Sequence, residues 1–301
     1  MKNTAVIILI FLVTAVLAAE EEAPPAPAYP LTDIFVADME FSDGNWKVGA
    51  AVNITHRPAY DNQPFFSVDG EQFFYTSERN GQTDLFLWNL ETNESRRITN
   101  STESEFSPTI MPDGSGLSTV VIEADGTQRL WRTGFDGSER RVLVPDVTGV
   151  GYHAWVGENQ IALFIVADPI SLHVIDMSTG VVKIMDENIG RALTVYPGQA
   201  SVLVYTGPGA DEKIWVKSLD LETSVIQTLI PVPGEAQDMA WLPDGSLLMS
   251  DQGRVMRWAG GEDDRWELLA DFSSSLGTSL TRLAVNPHGD KIALVAQHPQ
   301  D

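Results

Sequence analysis

Short runs of aromatic and β-branched residues, broken every few positions by polar turn residues, dominate this chain. The densest example is Tyr60–Thr99, YDNQPFFSVDGEQFFYTSERNGQTDLFLWNLETNESRRIT. It predicts four strands in succession: Pro64–Ser67, Phe73–Ser77, Asp84–Leu90 and Ser95–Thr99. Their links are a turn at Val68-Asp69-Gly70, a polar loop over Glu78–Gln82 and a turn at Glu91-Thr92-Asn93. Apolar runs of this length, flanked by Asp-Gly and Asn-bearing turns, read as hairpins in series. One four-stranded meander cannot bury both of its faces, so the pattern demands neighbouring copies of itself.

The copies are present. Gly70, Gly114, Gly157, Gly198, Gly245 and Gly289 stand in SVDGEQFFYTS, MPDGSGLSTVV, WVGENQIALFIV, YPGQASVLVYT, LPDGSLLMSD and NPHGDKIALVA. Their successive spacings are 44, 43, 41, 47 and 44. A period in the forties with four strands per period is the signature of propeller blades. Paired helices would need a sustained 3.6 periodicity, which these windows lack. The third and fourth copies have no Asp-Gly dipeptide, so their turns are less plainly marked.

After Gly289 only one more strand, Lys291–Gln297, fits. The missing outer half stands ahead of the first copy. Thr32-Asp33-Ile34-Phe35-Val36 echoes Thr83-Asp84-Leu85-Phe86-Leu87, and Asn53-Ile54-Thr55 echoes Arg97-Ile98-Thr99. The expected fold is all-β: a six-bladed propeller of four-stranded antiparallel blades, closed by pairing N-terminal outer strands with C-terminal inner strands. Closure removes the open sheet edges of an unclosed array. The expected blades are 57–100, 101–145, 146–187, 188–231 and 232–275, with 276–301 plus 32–56 completing the ring. Trp155, Trp215 and Trp241 are expected to fill space between blades.

Ahead of the ring, Lys2 and the apolar run Ala5–Leu17, interrupted only by Thr14, precede small residues at Ala18-Ala19 and the acidic Glu20-Glu21-Glu22. The run is shorter than the roughly 20 residues of a spanning helix, so 1–19 reads as a cleaved signal peptide. That implies a periplasmic or secreted protein with no stable membrane insertion. Residues 20–31 read as a Pro/Ala-rich leader too poor in large apolar side chains to pack. Residues 32–301 form the propeller, leaving no room for a second folded domain.

Charge narrows the partners. With 42 acidic and 19 basic residues, net −23, nucleic acid and anionic membrane surfaces are disfavoured. The balance suits a highly soluble monomer and leaves a cationic ligand or basic protein open. The absence of cysteine excludes disulfides, thiolate zinc sites, thiol catalysis and lipid attachment through cysteine.

In a propeller, the loops leading from each outermost strand to the next innermost strand share one rim. Here they read Arg57–Gln63, Ser101–Phe106, Val150–Ala154, Asn188–Ala192, Gly234–Asp238 and Thr278–Arg282. They gather Tyr60, Asp61, Asn62, Glu103, Glu105, Tyr152, His153, Arg191, Glu235, Gln237, Asp238 and Arg282 around one channel mouth. Polar and aromatic groups converging on a concavity make a binding-site expectation, although any solvated turn carries polar residues and Asp and Asn also cap strand ends. Tyr60, Tyr152 and Asn62 are the expected contacts, with Arg191 and Arg282 as anchors for carboxylates on a protein segment or small ligand.

No catalytic residues are assigned. There is no G-x-S-x-G elbow, and His56, His153, His173, His288 and His298 lack zinc-protease spacing. The alternative is a metal-dependent hydrolase, lactonase- or esterase-like. Asp61, Glu103, Glu105, Asp238 and His153, with Asn62, would hold a divalent cation that activates water. Apart from that cation no cofactor is expected. Gly149–Ala154, GVGYHA, fits a dinucleotide pattern but sits in a strand repeat with no following helix to hold a pyrophosphate.

The texts FFSVDGEQFFYTS, MPDGSGLSTVV and WLPDGSLLMSD, together with DLFLWNLETNESRRIT, resemble the repeats of the TolB propeller family. Similar repeats form the propeller of prolyl-oligopeptidase-type peptidases. The resemblance covers nearly all of 32–301 and implies the fold and a periplasmic setting. In TolB proper it implies a propeller that docks a peptidoglycan-associated lipoprotein at the channel mouth, beside a separate N-terminal α/β domain. No counterpart of that domain or of a peptidase domain is read here, so a stand-alone TolB-like propeller is expected. Function carried by fold alone is analogy.

Overall fold

The computed structural model describes residues 29–235, 237–261 and 265–297. The segment 1–19 and all of the leader except Tyr29–Leu31 lie outside the described residues. Five antiparallel four-stranded sheets follow one another along the chain. From channel to rim, the first is Asp61–Phe66, Gln72–Arg79, Gln82–Asn89 and Glu94–Arg97. The next four begin at inner strands Ser104–Ile110, Val150–Val156, Leu193–Val195 and Met239–Trp241 and end at outer strands Arg141–Val142, Val182–Glu187, Val225–Pro231 and Glu267–Asp271.

The sixth sheet closes the ring. Leu280–Val285 is innermost and pairs with Lys291–Gln297, which pairs antiparallel with the long N-terminal strand Thr32–Ser42. Thr32 faces Gln297 and Asp38 faces Lys291, so the first and last described strands share one register. Val52–Asn53 adds the outer strand against Phe35 and Val36. The echo between 32–36 and 83–87 is thereby explained, since each is the third strand of its blade.

All six anchoring glycines have positive φ: +71, +65, +64, +76, +83 and +71 for Gly70, Gly114, Gly157, Gly198, Gly245 and Gly289. The third and fourth turns therefore keep the shared geometry without the Asp-Gly dipeptide. Strand bounds shift slightly from the sequence reading. The polar loop expected over Glu78–Gln82 is only the two-residue turn Asn80-Gly81, both left-handed, because Asn-Gly matches the twist of a tight hairpin. One short helix, Ser273–Leu276, interrupts the connection from the fifth to the sixth blade.

Apolar clusters fill the seams between blades. Ile34, Phe66, Phe73, Tyr75, Ala293 and Val295 join the sixth blade to the first. Leu203 and Tyr205 of the fourth blade pack with Ala162, Phe164 and Leu172 of the third. Trp155 bridges blades two and three, its Nε1 donating to Ser118 Oγ at 2.9 Å. Trp241 packs against Tyr196 in a tilted arrangement, ring centroids 4.9 Å apart, between blades four and five. Trp215 differs from expectation: its indole donates to Asp211 within its own hairpin.

Candidate binding cavity at the channel mouth

The inner strands are not regular where they reach the mouth. Register shifts interrupt four of them, between Asn62 and Phe65, Phe106 and Thr109, Val150 and Tyr152, and Leu280 and Arg282. A bulge inserts an unpaired residue and re-aims the side chains beside it. Tyr152 and Arg282 each follow such a bulge, and they meet across the channel from the third and sixth blades. Arg282 Nη2 donates to Tyr152 Oη at 3.0 Å, and its guanidinium lies 5.1 Å from the Tyr152 ring centroid. Arg282 Nη1 donates to Asp238 at 3.0 Å. Burial works against the Arg282 charge, but Asp238, Tyr152 and Tyr60 together outweigh it and hold the guanidinium above its ordinary pKa.

Above this bar opens a cavity of about 450 Å³. Tyr60, Asn62 and Gln63 of the first blade line it, with Phe106, Val120 and Ile122 of the second, and Tyr152 and Val166 of the third. Arg191, from the loop into the fourth blade, and Thr281, Arg282 and Gln297 of the sixth complete the wall. Tyr29 and Pro30 also line it. For the described end of the leader this corrects the reading that it is unable to pack: the Tyr29 ring sits 5.4 Å from Tyr60 and 5.7 Å from Phe106. Thr32 fastens the arm to the first blade, its N–H donating to Ala59 O and its hydroxyl to Asp61 O, both at 2.9 Å. Burial raises the Tyr60 phenol to about 12, so it stays a neutral donor and acceptor.

Five residues from the expected site thus share one cavity: Tyr60, Asn62, Tyr152, Arg191 and Arg282. The others lie elsewhere. Asp61 is fully buried, taking Arg57 Nε at 3.1 Å and Arg57 Nη2 at 2.9 Å together with the Ser77 hydroxyl. Glu105, equally buried, accepts from Ser101 Oγ at 2.8 Å and pairs with Arg140 at 2.6 Å, while Glu103 lies 3.4 Å from Arg140. His153 is buried with Nε2 2.7 Å from Ser118 Oγ, and burial pushes it down to about 3, leaving it neutral. Asp238 sits under the floor, 3.0 Å from Arg282 and 3.7 Å from Arg191. Gln237 and Glu235 line an adjoining rim cavity of about 490 Å³ that shares Arg191.

The donor set for a divalent cation does not assemble. Asp61, Glu105 and Asp238 are each committed to an arginine, and His153 to a serine. Among the described residues no group of three or more His, Asp or Glu side chains could hold a metal ion. Tyr29, Phe106, Thr281 and Gln297 are among the cavity residues that sequence reasoning missed. The X-Pro steps Gln63-Pro64 and Ser107-Pro108 were the available signal for two bulges, since Gln63 and Ser107 both take positive φ there.

No family model matches the chain, and no curated protein matches it. Solved structures do. A candidate TolB from Agrobacterium tumefaciens superposes with a TM-score of 0.69 at 14% identity, over 91% of this chain and 100% of that one. The fold is the TolB-like six-bladed propeller. A chain of the nidogen/laminin complex gives 0.64 at 14% identity, over 84% of this chain and 97% of that one. An oligogalacturonate lyase in complex with manganese gives 0.54 at 15% identity, over 86% and 84%. At these identities the likeness is one of fold, and the propeller's activity has to be argued from its own cavity. Among the described residues no helix is long and apolar enough to cross a membrane.

Proposed function

We propose that this chain is an exported, non-catalytic binding protein that captures a protein segment or small ligand at the mouth of its channel. One observation carries the reading: four blades, the loop into a fifth and the N-terminal arm converge on a single cavity of ligand size, aromatic on its walls and cationic at its floor. Export rests on the Lys2 and Ala5–Leu17 pattern, and the TolB-like fold is consistent with a periplasmic setting. The nidogen/laminin structure gives a precedent for a propeller of this shape within a protein complex. The hydrolase alternative needs converging ligands free to take a cation, and the mouth carboxylates are instead spent on Arg57, Arg140 and Arg282.

The test is a thermal-shift screen run on the wild type, Phe106→Ala and Arg191→Ala. A compound or peptide that raises the melting temperature of the wild type but of neither variant supports the reading. Hits whose shifts survive in both variants place binding outside this cavity and defeat it.

A further inference from the structure

Resting on that reading, we infer the chemical class of the occupant: one carboxylate attached to an apolar, flat body, with Arg191 receiving the carboxylate. The floor holds two guanidiniums and one carboxylate, a local charge of +1 in a chain of net charge −23. Arg282 is used up, one branch on Asp238 at 3.0 Å and the other on Tyr152 Oη at 3.0 Å. Arg191 is not. Its Nη2 donates to the Thr281 carbonyl at 2.8 Å, its buried Nε has no hydrogen-bond partner among the described residues, and Asp238 is 3.7 Å away and already taken. Its side chain keeps 30% of its exposure, and a guanidinium carries five N–H donors. At the mouth Arg57 and Arg140 differ from it, for each holds a buried carboxylate within 3 Å.

Shape and surroundings narrow the class further. Tyr29, Tyr60 and Phe106 form a three-ring wall, joined by Val120, Ile122 and Val166. A ligand therefore meets charge at one end and rings and aliphatic groups at the other. The Tyr152–Arg282 bond crosses the channel below, so a chain cannot thread past it and must enter by its end. A polyanion finds one spare positive charge and a strongly negative protein around it, which excludes polyacids. Two sources carry the shared chemistry: the C-terminus of a polypeptide ending in an apolar residue, and a free arylalkyl carboxylic acid.

Calorimetric titration of the full chain decides it, with four probes. They are 4-phenylbutanoate and its amide, and the peptide Gly-Gly-Ser-Gly-Phe as free acid and as C-terminal amide. An acid binding about ten- to a hundredfold tighter than its amide, with Arg191→Gln reducing the acid to the level of the amide, is the expected result. The tighter of the two acids identifies the source. If acid and amide bind alike and both weaken in Phe106→Ala, the cavity binds ligands but the carboxylate class is wrong. If no probe binds at millimolar concentration, the carboxylate class is wrong, and the thermal-shift screen alone then decides whether the cavity binds a ligand. The acid–amide comparison on the wild type holds even if a variant folds poorly.

Discussion

On the face away from the mouth, Asp69, Asp113, Asp136 and Asp176 each accept the backbone N–H two residues on, from Glu71, Ser115, Ser138 and Ser178. On the mouth face Asp61, Asp84 and Glu105 are fully buried and turned toward arginines. The same chemical group is shifted in opposite directions. Hydrogen bonds led by Ser67, Ser115, Ser138 and Ser178 hold the far-face carboxyls below their ordinary range. Burial pushes Asp61 up to about 6 and raises Asp84 and Glu105, against the pull of their serine, threonine and arginine neighbours. These four far-face aspartates are satisfied within their own turns, whereas Asp61, Asp84 and Glu105 are buried against arginines, Glu105 against the distant Arg140.

The contrast can be broken most sharply at Asp61. Asp61→Ala leaves Arg57 and Arg79 without their shared buried partner, and removing one member of such a pair costs about 3 kcal/mol. Urea denaturation at neutral pH should show that loss. A cost below that of removing an exposed turn aspartate would erase the distinction between the two faces.

Acid titration sharpens it next. Because Asp61 is raised in the folded state, the part of its contribution that protonation supplies is fully present below about pH 4, its unfolded range, and is lost as pH rises through about 6, above which only its contacts with Arg57 and Arg79 remain. The far-face aspartates run the other way: their contribution is present above about pH 4 and is lost as pH falls below it. Melting temperature should therefore rise on acidification from neutral pH toward about pH 4.5, then fall. Asp61→Asn should remove the part of that rise due to Asp61, on the order of 2 kcal/mol. A variant with an unchanged pH profile would show that Asp61 does not titrate there.

The smallest effect separates two turns of the same face. A Cβ added at Gly114 would meet nothing within 4 Å, so Gly114→Ala should cost only the positive-φ penalty of about 1 kcal/mol. At Gly70 an added Cβ would lie 2.9 Å from His288 Cδ2 and 3.0 Å from Asn286 Nδ2, both from the sixth blade. Gly70→Ala should therefore cost about 1 kcal/mol more than Gly114→Ala in the same denaturation assay. Equal costs would mean that the seam between blades six and one yields to the methyl group.

The sequence by itself determined the blade. Strand-forming runs, Asp-Gly turns and a period in the forties are local and repeated, and a half-blade at each end can be satisfied only by joining the two. Arg191, Arg282, Tyr60 and Tyr152 were legible as mouth residues because their loops sit at fixed positions in the repeat. Only the tertiary structure decided which of the expected residues reach the cavity. Asp61, Glu105 and His153 are in the right loops or strands yet face into the blades, because bulges set side-chain direction and burial selects the partner. Tyr29 reaches the cavity for another reason that is equally tertiary. Its ring finds Tyr60 and Phe106 only after ring closure brings the N-terminal arm to the mouth, and no local pattern records that encounter.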